Sequence, residues 1–238
     1  MTSTLRVNGV DLVAEASGAL IWPEAATIVV ADLHLEKGSA MARRGTLLPP
    51  YDSRATLDRL EDAIARTRAR RVICLGDSFH DGDAPERLDA VEVARLVRLT
   101  RLVEWIWIIG NHDARPGGRT RDTARQAVPR AWGGRAEAVV TFGALTFRHE
   151  ADRQAGPGEV SGHFHPKAAI ATRARRITGR CFATDGRRLI LPAFGAYAGG
   201  LDVLDPAISD LFERGFHAYL IGRATVRAFP SARLSPVW

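Results

Sequence analysis

Thr27-Ile28-Val29-Val30-Ala31-Asp32-Leu33-His34 is a short apolar run, rich in β-branched residues, that ends abruptly in an Asp-x-His pair. Its length and composition predict a buried strand, which puts Asp32 and His34 at the C-terminal mouth of that strand. The figure recurs twice. Val72-Ile73-Cys74-Leu75 empties into Gly76-Asp77, and Trp105 to Ile109 into Gly110-Asn111-His112-Asp113. Between these runs, Leu57, Leu60 and Ile64 recur at helical spacing from Asp52, which reads as an N-cap, to Arg70, and Pro85 to Val103 reads as a second amphipathic helix. The strand–helix–strand alternation predicts parallel pairing in an α/β sheet, an architecture that gathers ligands at the carboxyl ends of its strands.

On the N-terminal side, Leu5 to Ala14 alternates around Asn8-Gly9, the signature of a tight hairpin. Beyond Arg135 the rhythm changes. Short strand-like runs follow at Ala138 to Phe142, Leu145 to Arg148, Glu159 to Gly162, Ala168 to Thr172, Cys181 to Thr184, Arg188 to Leu191, Ala218 to Ile221 and Thr225 to Phe229, separated by Gly, Pro and Asp turns. There is no internal repeat, low-complexity tract or linker, so residues 1–238 are expected to form one domain with one shared core.

Lys+Arg 33 against Asp+Glu 27 gives a net charge of +6, which favours an anionic partner such as nucleic acid. Lys37 and Lys167 are the only lysines, however, and a GC-rich genome produces such an arginine skew without selection for binding. Cys74 and Cys181 both lie in apolar stretches and read as buried free thiols of a reducing compartment, although sequence alone leaves a disulfide open. The N-terminus lacks the pattern of a secretory signal and no apolar run reaches membrane-spanning length, so a cytoplasmic protein without a membrane partner is expected.

Six of the seven histidines fall in a run of short motifs rich in Asp, Asn and Gly, in the chain order Asp32-x-His34, Gly76-Asp77, Gly110-Asn111-His112-Asp113, His149, Gly162-His163-x-His165, with His80 close behind Asp77. Carboxylate, imidazole and amide oxygen together are the mixed donor set that holds pairs of Mn²⁺, Fe or Zn²⁺ ions, and such pairs hydrolyse phosphate esters. Singly the pieces have ordinary explanations. Gly-Asp is a common turn, and a lone His149 is as readily a surface histidine. Asn-His-Asp at a strand end has no turn or packing purpose, and the joint pattern is what carries the expectation of a dimetal site.

That order of motifs, from Asp32 to His165, resembles the calcineurin-like metallophosphoesterases. Ala31 to Gly38, Leu48-Pro49-Pro50-Tyr51-Asp52, Gly76 to Asp81 and Leu191-Pro192-Ala193-Phe194-Gly195-Ala196-Tyr197 look more closely like the branch of ligase-associated DNA damage response endonucleases (PdeM). The resemblance implies two facing mixed β-sheets flanked by helices, with two divalent metal ions, Mn²⁺ first and Fe or Zn²⁺ as alternatives, at the strand ends. It implies Asp32, His34 and His165 on one ion, Asn111, His149 and His163 on the other, and Asp77 bridging both. His112 would hydrogen-bond the substrate phosphate and help protonate the leaving oxygen, with Asp113 holding its imidazole in one tautomer. His80 stands where the broader family often has Asp, and either a contact near the substrate or a structural loop role fits it.

The implied activity is a phosphodiesterase acting on DNA in repair, associated functionally with a DNA ligase and helicase. A phosphatase or phosphodiesterase for nucleotides or other small esters is the alternative, since the same metals serve it. An interaction scaffold, which this fold also supports in a retromer subunit, is disfavoured because His112 and every ligand position are retained. Arg43 and Arg44, in a Lys37 to Pro50 loop expected to overhang the metals, are candidate phosphate contacts, although solvated loop charges would look the same. Arg115 to Arg119 could line the same cleft, while core packing is expected of Phe194 and filler of His217. Oligomeric state is left open.

Overall fold

The computed structural model describes residues 2–113, 128–173 and 175–238, and the two halves of the chain form two facing sheets. The first runs in spatial order β1 (Ser3–Val7), β2 (Val10–Ala14), β3 (Leu20–Trp22), β4 (Thr27–Val30), β5 (Arg71–Leu75), β6 (Glu104–Ile108) and β7 (Arg135–Glu137). Neighbours are antiparallel up to β4 and parallel from β4 to β7, as the strand–helix rhythm predicts. The Asn8-Gly9 hairpin forms with Val7 opposite Val10 and both turn residues at positive φ, the turn whose twist matches its strands.

The second sheet comprises β8 (Val139–Phe142), β9 (Leu145–Arg148), β10 (Glu159–Ser161), β11 (Lys167–Ala171), β12 (Arg176–Thr184), β13 (Arg188–Ile190), β14 (His217–Ile221) and β15 (Val226–Pro230). Its spatial order is β15-β14-β12-β13-β10-β9-β8, with β11 paired to β12. β9, β10 and β13 are mutually parallel and the other pairs antiparallel.

Alternation along the central strands explains why they read as unbroken apolar runs. Val29, Ile73 and Ile106 point into a core shared with Phe147, Val160, Phe182 and Leu189 of the facing sheet. Ile28, Val30, Val72, Cys74, Trp105 and Trp107 point the other way, under α2 (Asp52–Thr67) and its neighbour α4 (Ala90–Leu102), where Leu57, Leu60, Leu96 and Leu99 meet them. Strands of a sheet covered on both faces have no polar side to show. Cys74 and Cys181 are both free and buried, as expected, and burial pushes both thiols up from their ordinary range. None of the described helices is long and apolar enough to cross a membrane.

Three expectations change. Asp52 is the first residue inside α2 rather than its cap, and its carboxylate instead accepts the amide N–H of Gly38 at 2.9 Å. The Pro85 to Val103 helix is two helices, α3 (Ala84–Arg87) and α4, because Leu88 is extended and Asp89 starts α4 afresh by accepting from Val91 N at 2.8 Å. Lys37 to Pro50 is not wholly a loop, since Lys37–Arg43 is helical (α1). Arg115 to Arg119 lie outside the described residues.

Candidate metal centre

β4, β5 and β6 end side by side, so Asp32, Asp77 and Asn111 leave the first sheet along one edge. β9 and β10, parallel to each other, deliver His149 and the Gly162–His165 loop from the second. The two sets interlock: the amide of His163 donates to Asp32 Oδ2 at 3.0 Å, and Phe194 N donates to the Ala31 carbonyl at 2.7 Å. Of the eleven residues singled out, the seven proposed ligands and His112 sit within this cluster of contacts, Asp113 bonds the loops that carry it, and Arg43 and Arg44 are exposed outside it.

The backbone bends sharply to present these side chains. Asp32, His34, Asp77, His163 and His165 all have φ between 44° and 70°, a left-handed conformation that non-glycine residues seldom adopt. Such local strain persists only where surrounding contacts over-determine it, and it concentrates at functional sites. The motif glycines are there for want of room. A Cβ at Gly76 would stand 2.3 Å from His149 Nδ1, and one at Gly110 would stand 2.2 Å from Asp77 Oδ1.

Lone pairs converge at two points. His149 Nδ1 lies 2.8 Å from the Leu75 carbonyl, which can only accept, so that nitrogen carries the proton. In the neutral ring, Nε2 is then an acceptor, yet it faces Asn111 Oδ1 at 2.9 Å, His163 Nδ1 at 3.1 Å and Asp77 Oδ1 at 3.4 Å. At the second point His34 Nε2 and His165 Nε2 are 3.2 Å apart, with Asp32 Oδ1 3.4 Å from His165. Burial, then the charges of His165, His112, Lys37 and His80, depress the His34 imidazole to about 2, so it stays neutral. Burial likewise lowers His163 and raises Asp77. Imidazole nitrogens, carboxylate oxygens and an amide oxygen gathered at two points are a donor set that suits a cation.

His112 stands over the cluster with its Nδ1 2.8 Å from the His80 carbonyl and its Nε2 4.0 Å from Asp77 Oδ2. Here the expected role of Asp113 is corrected. Its buried carboxylate accepts the amide N–H groups of Phe79 at 3.0 Å and Gly110 at 2.9 Å, tying the β5 and β6 loops together, and the His80 carbonyl orients the His112 ring. Burial pushes Asp113 up to about 7 against the pull of those amides.

His80 itself forms a third histidine group with His34 and His112, its ring stacked on His112 at 5.6 Å. The sequence showed it only as a departure from a pattern. Lys37 was not singled out at all, yet its charge is felt by both His34 and His80. Arg43 and Arg44 close α1 and are exposed; the charge of Arg44 reaches His80, and neither side chain bonds to the ligand cluster among the described residues. His217 is exposed at the start of β14.

The Leu48–Asp52 and Leu191–Tyr197 segments are scaffolding. Tyr197 Oη donates to the Pro49 carbonyl at 2.7 Å, Gly195 N to the Asp32 carbonyl at 3.1 Å, and Arg59 to the Phe194 carbonyl. Phe194 is fully buried, as expected, with the Arg59 guanidinium 4.7 Å from its ring centre.

Comparison with known proteins accords with this geometry. A family model described as calcineurin-like phosphoesterase matches residues 26–169. The crystal structure of a nuclease, MPE, from Pseudomonas putida is similar in fold, with a TM-score of 0.68 and 24% identity over 95% of this chain and 100% of that one. No curated protein is a significant match.

Proposed function

The chain belongs to the calcineurin-like phosphoesterase family of metal-dependent hydrolases, and within that family we propose that residues 1–238 form one dimetal phosphodiesterase domain that cleaves DNA. The observation that carries the reading is the convergence of carboxylate, amide and imidazole ligand atoms at two adjacent points. We assign Asp32, His34 and His165 to one ion, Asn111, His149 and His163 to the other, and Asp77 to both. Two divalent ions, Mn²⁺ by preference, would supply Lewis acidity for the scissile phosphate and an activated water.

The protein's own contribution follows from its hydrogen bonds. The His80 carbonyl holds the His112 proton at Nδ1, so Nε2 is the atom free to carry a second proton toward the leaving oxygen. Asp113 keeps the two loops that carry Asp77 and Asn111 in register. Arg43 and Arg44 are proposed contacts for phosphates flanking the scissile one.

DNA is favoured over a small ester by the segments resembling repair endonucleases and by a neighbour in structure that is itself a nuclease. A role in repair alongside a ligase and helicase follows from the same resemblance. Purified protein loaded with Mn²⁺ should hydrolyse bis(p-nitrophenyl) phosphate and cut DNA, and Arg43→Ala with Arg44→Ala should weaken DNA cleavage and flatten its salt dependence while sparing the small ester. Ester hydrolysis with no cleavage of any form of DNA would move the assignment to nucleotides or other small phosphate esters.

A further inference from the structure

A second cationic feature lies away from the metal ligands. β12 pairs with β14 only from Cys181 to Thr184, whereas Arg176–Arg180 pair with β11 alone. The β11–β12 hairpin therefore splays from the β14–β15 hairpin and leaves an open groove of roughly 850 Å³. Its floor is apolar, formed by Ile170, Ile177 and Phe229, and Ile177 is exposed. Its rim carries Arg175, Arg223 and Arg227, none of which has an ion-pair partner among the described residues. The sequence offers them none nearby: there is no Asp or Glu from 160 to 184 or from 214 to 238.

We propose that this groove is an exosite for a single strand of nucleic acid, with phosphates on Arg175, Arg223 and Arg227 and base faces over the apolar floor. The inference rests on the nuclease reading above for the identity of the polyanion. An unpaired strand offers anionic phosphates and apolar base faces side by side, which is the pattern of rim and floor; a duplex hides its base faces. Guanidinium groups suit phosphate by their planar, paired donors.

β11 connects the groove to the metals. It starts at Lys167, two residues after His165, and its far end supplies Ile170 to the groove. Five strand residues span roughly 17 Å, about five nucleotides of a stacked strand. Lys167, at the metal end of β11, holds its amine 5.9 Å from the ring centre of exposed Trp238.

The test is a triple variant, Arg175→Ala with Arg223→Ala and Arg227→Ala, beside the same three changed to Lys. Binding of a fluorescent oligonucleotide of about 20 nucleotides, read by anisotropy over a salt series, should weaken at least tenfold in the alanine variant, and losing three phosphate contacts should take about 2 off the salt slope. The lysine variant should keep most of the slope, which excludes misfolding as the cause. Cleavage of the long strand should fall while cleavage of a trinucleotide and hydrolysis of bis(p-nitrophenyl) phosphate stay as in wild type. Unchanged binding and slope in the alanine variant would overturn the exosite even if wild type cuts DNA, and loss of binding only to an acidic peptide would assign the groove to a protein partner instead. Loss of strand binding in a protein that cuts no DNA would keep the exosite and remove the nuclease reading.

Discussion

At the scale of single residues, side-chain chemistry was legible and backbone chemistry was not. Asp32, His34, Asp77, Asn111, His149, His163 and His165 could be picked out because few other purposes need those types in that order. The orienting partner of His112 could not, because it is the carbonyl of His80 and a carbonyl leaves no mark in a sequence. Asp113 was misread for the same reason, its partners being amides. If Asp77 serves both ions, Asp77→Asn should cut bound metal to well below two per chain, while His34→Ala should weaken one site and leave the other. Counting metal on the purified variants checks this, and two retained ions in Asp77→Asn would remove the bridge. His112→Ala should keep the metals yet lower turnover roughly 10²–10⁴-fold on DNA, as loss of a general acid does, and less on a p-nitrophenyl ester whose leaving group needs little protonation. Equal losses on both substrates would leave His112 a phosphate-positioning role only.

At the scale of elements, the long buried strands and α2 were legible because burial on both faces or on one stripe dictates composition. Of the three-residue strands, β10 and β13 were legible between their flanking turns but β3 and β7 were not, since so short a segment has no period of its own. The split between α3 and α4 also escaped. Leu88 and Asp89 do not break a helical pattern of apolar residues, and it is the extended backbone of Leu88 and the hydrogen bond from Val91 N to the Asp89 carboxylate that show a new helix starting there. That cap has a measurable consequence. Asp89→Ala should destabilise the protein by about 1 kcal/mol, the usual cost of losing an N-cap, and lower its melting temperature by roughly 2–4 °C at this chain length. Asp89→Ser should restore most of the loss. A melting temperature unmoved by Asp89→Ala would mean that α4 is held by its packing under Trp105 and Trp132 and that its start is immaterial.

At the scale of the whole molecule, the sequence predicts one core from the lack of a linker, and the contacts give that expectation a test. The cluster between the sheets draws Val29, Ile73 and Ile106 from one and Phe147, Val160 and Leu189 from the other, and the proposed metal ligands come from both. Neither sheet can leave without exposing the inner face of its neighbour. Unfolding should then be a single cooperative transition, and the tryptophans make this easy to see. Trp22, Trp105, Trp107 and Trp132 are all buried in the first sheet or against its outer layer, while Trp238 is already exposed. Fluorescence therefore reports chiefly on the first layer, and far-ultraviolet circular dichroism on both. The two signals should trace coincident denaturant curves. Because ions bound by ligands from both sheets stabilise only the fully assembled state, adding Mn²⁺ should move both curves together to higher denaturant. Fluorescence and dichroism that separate, with Mn²⁺ shifting one and not the other, would show that the two sheets unfold as independent units and that the ligand set does not bridge them.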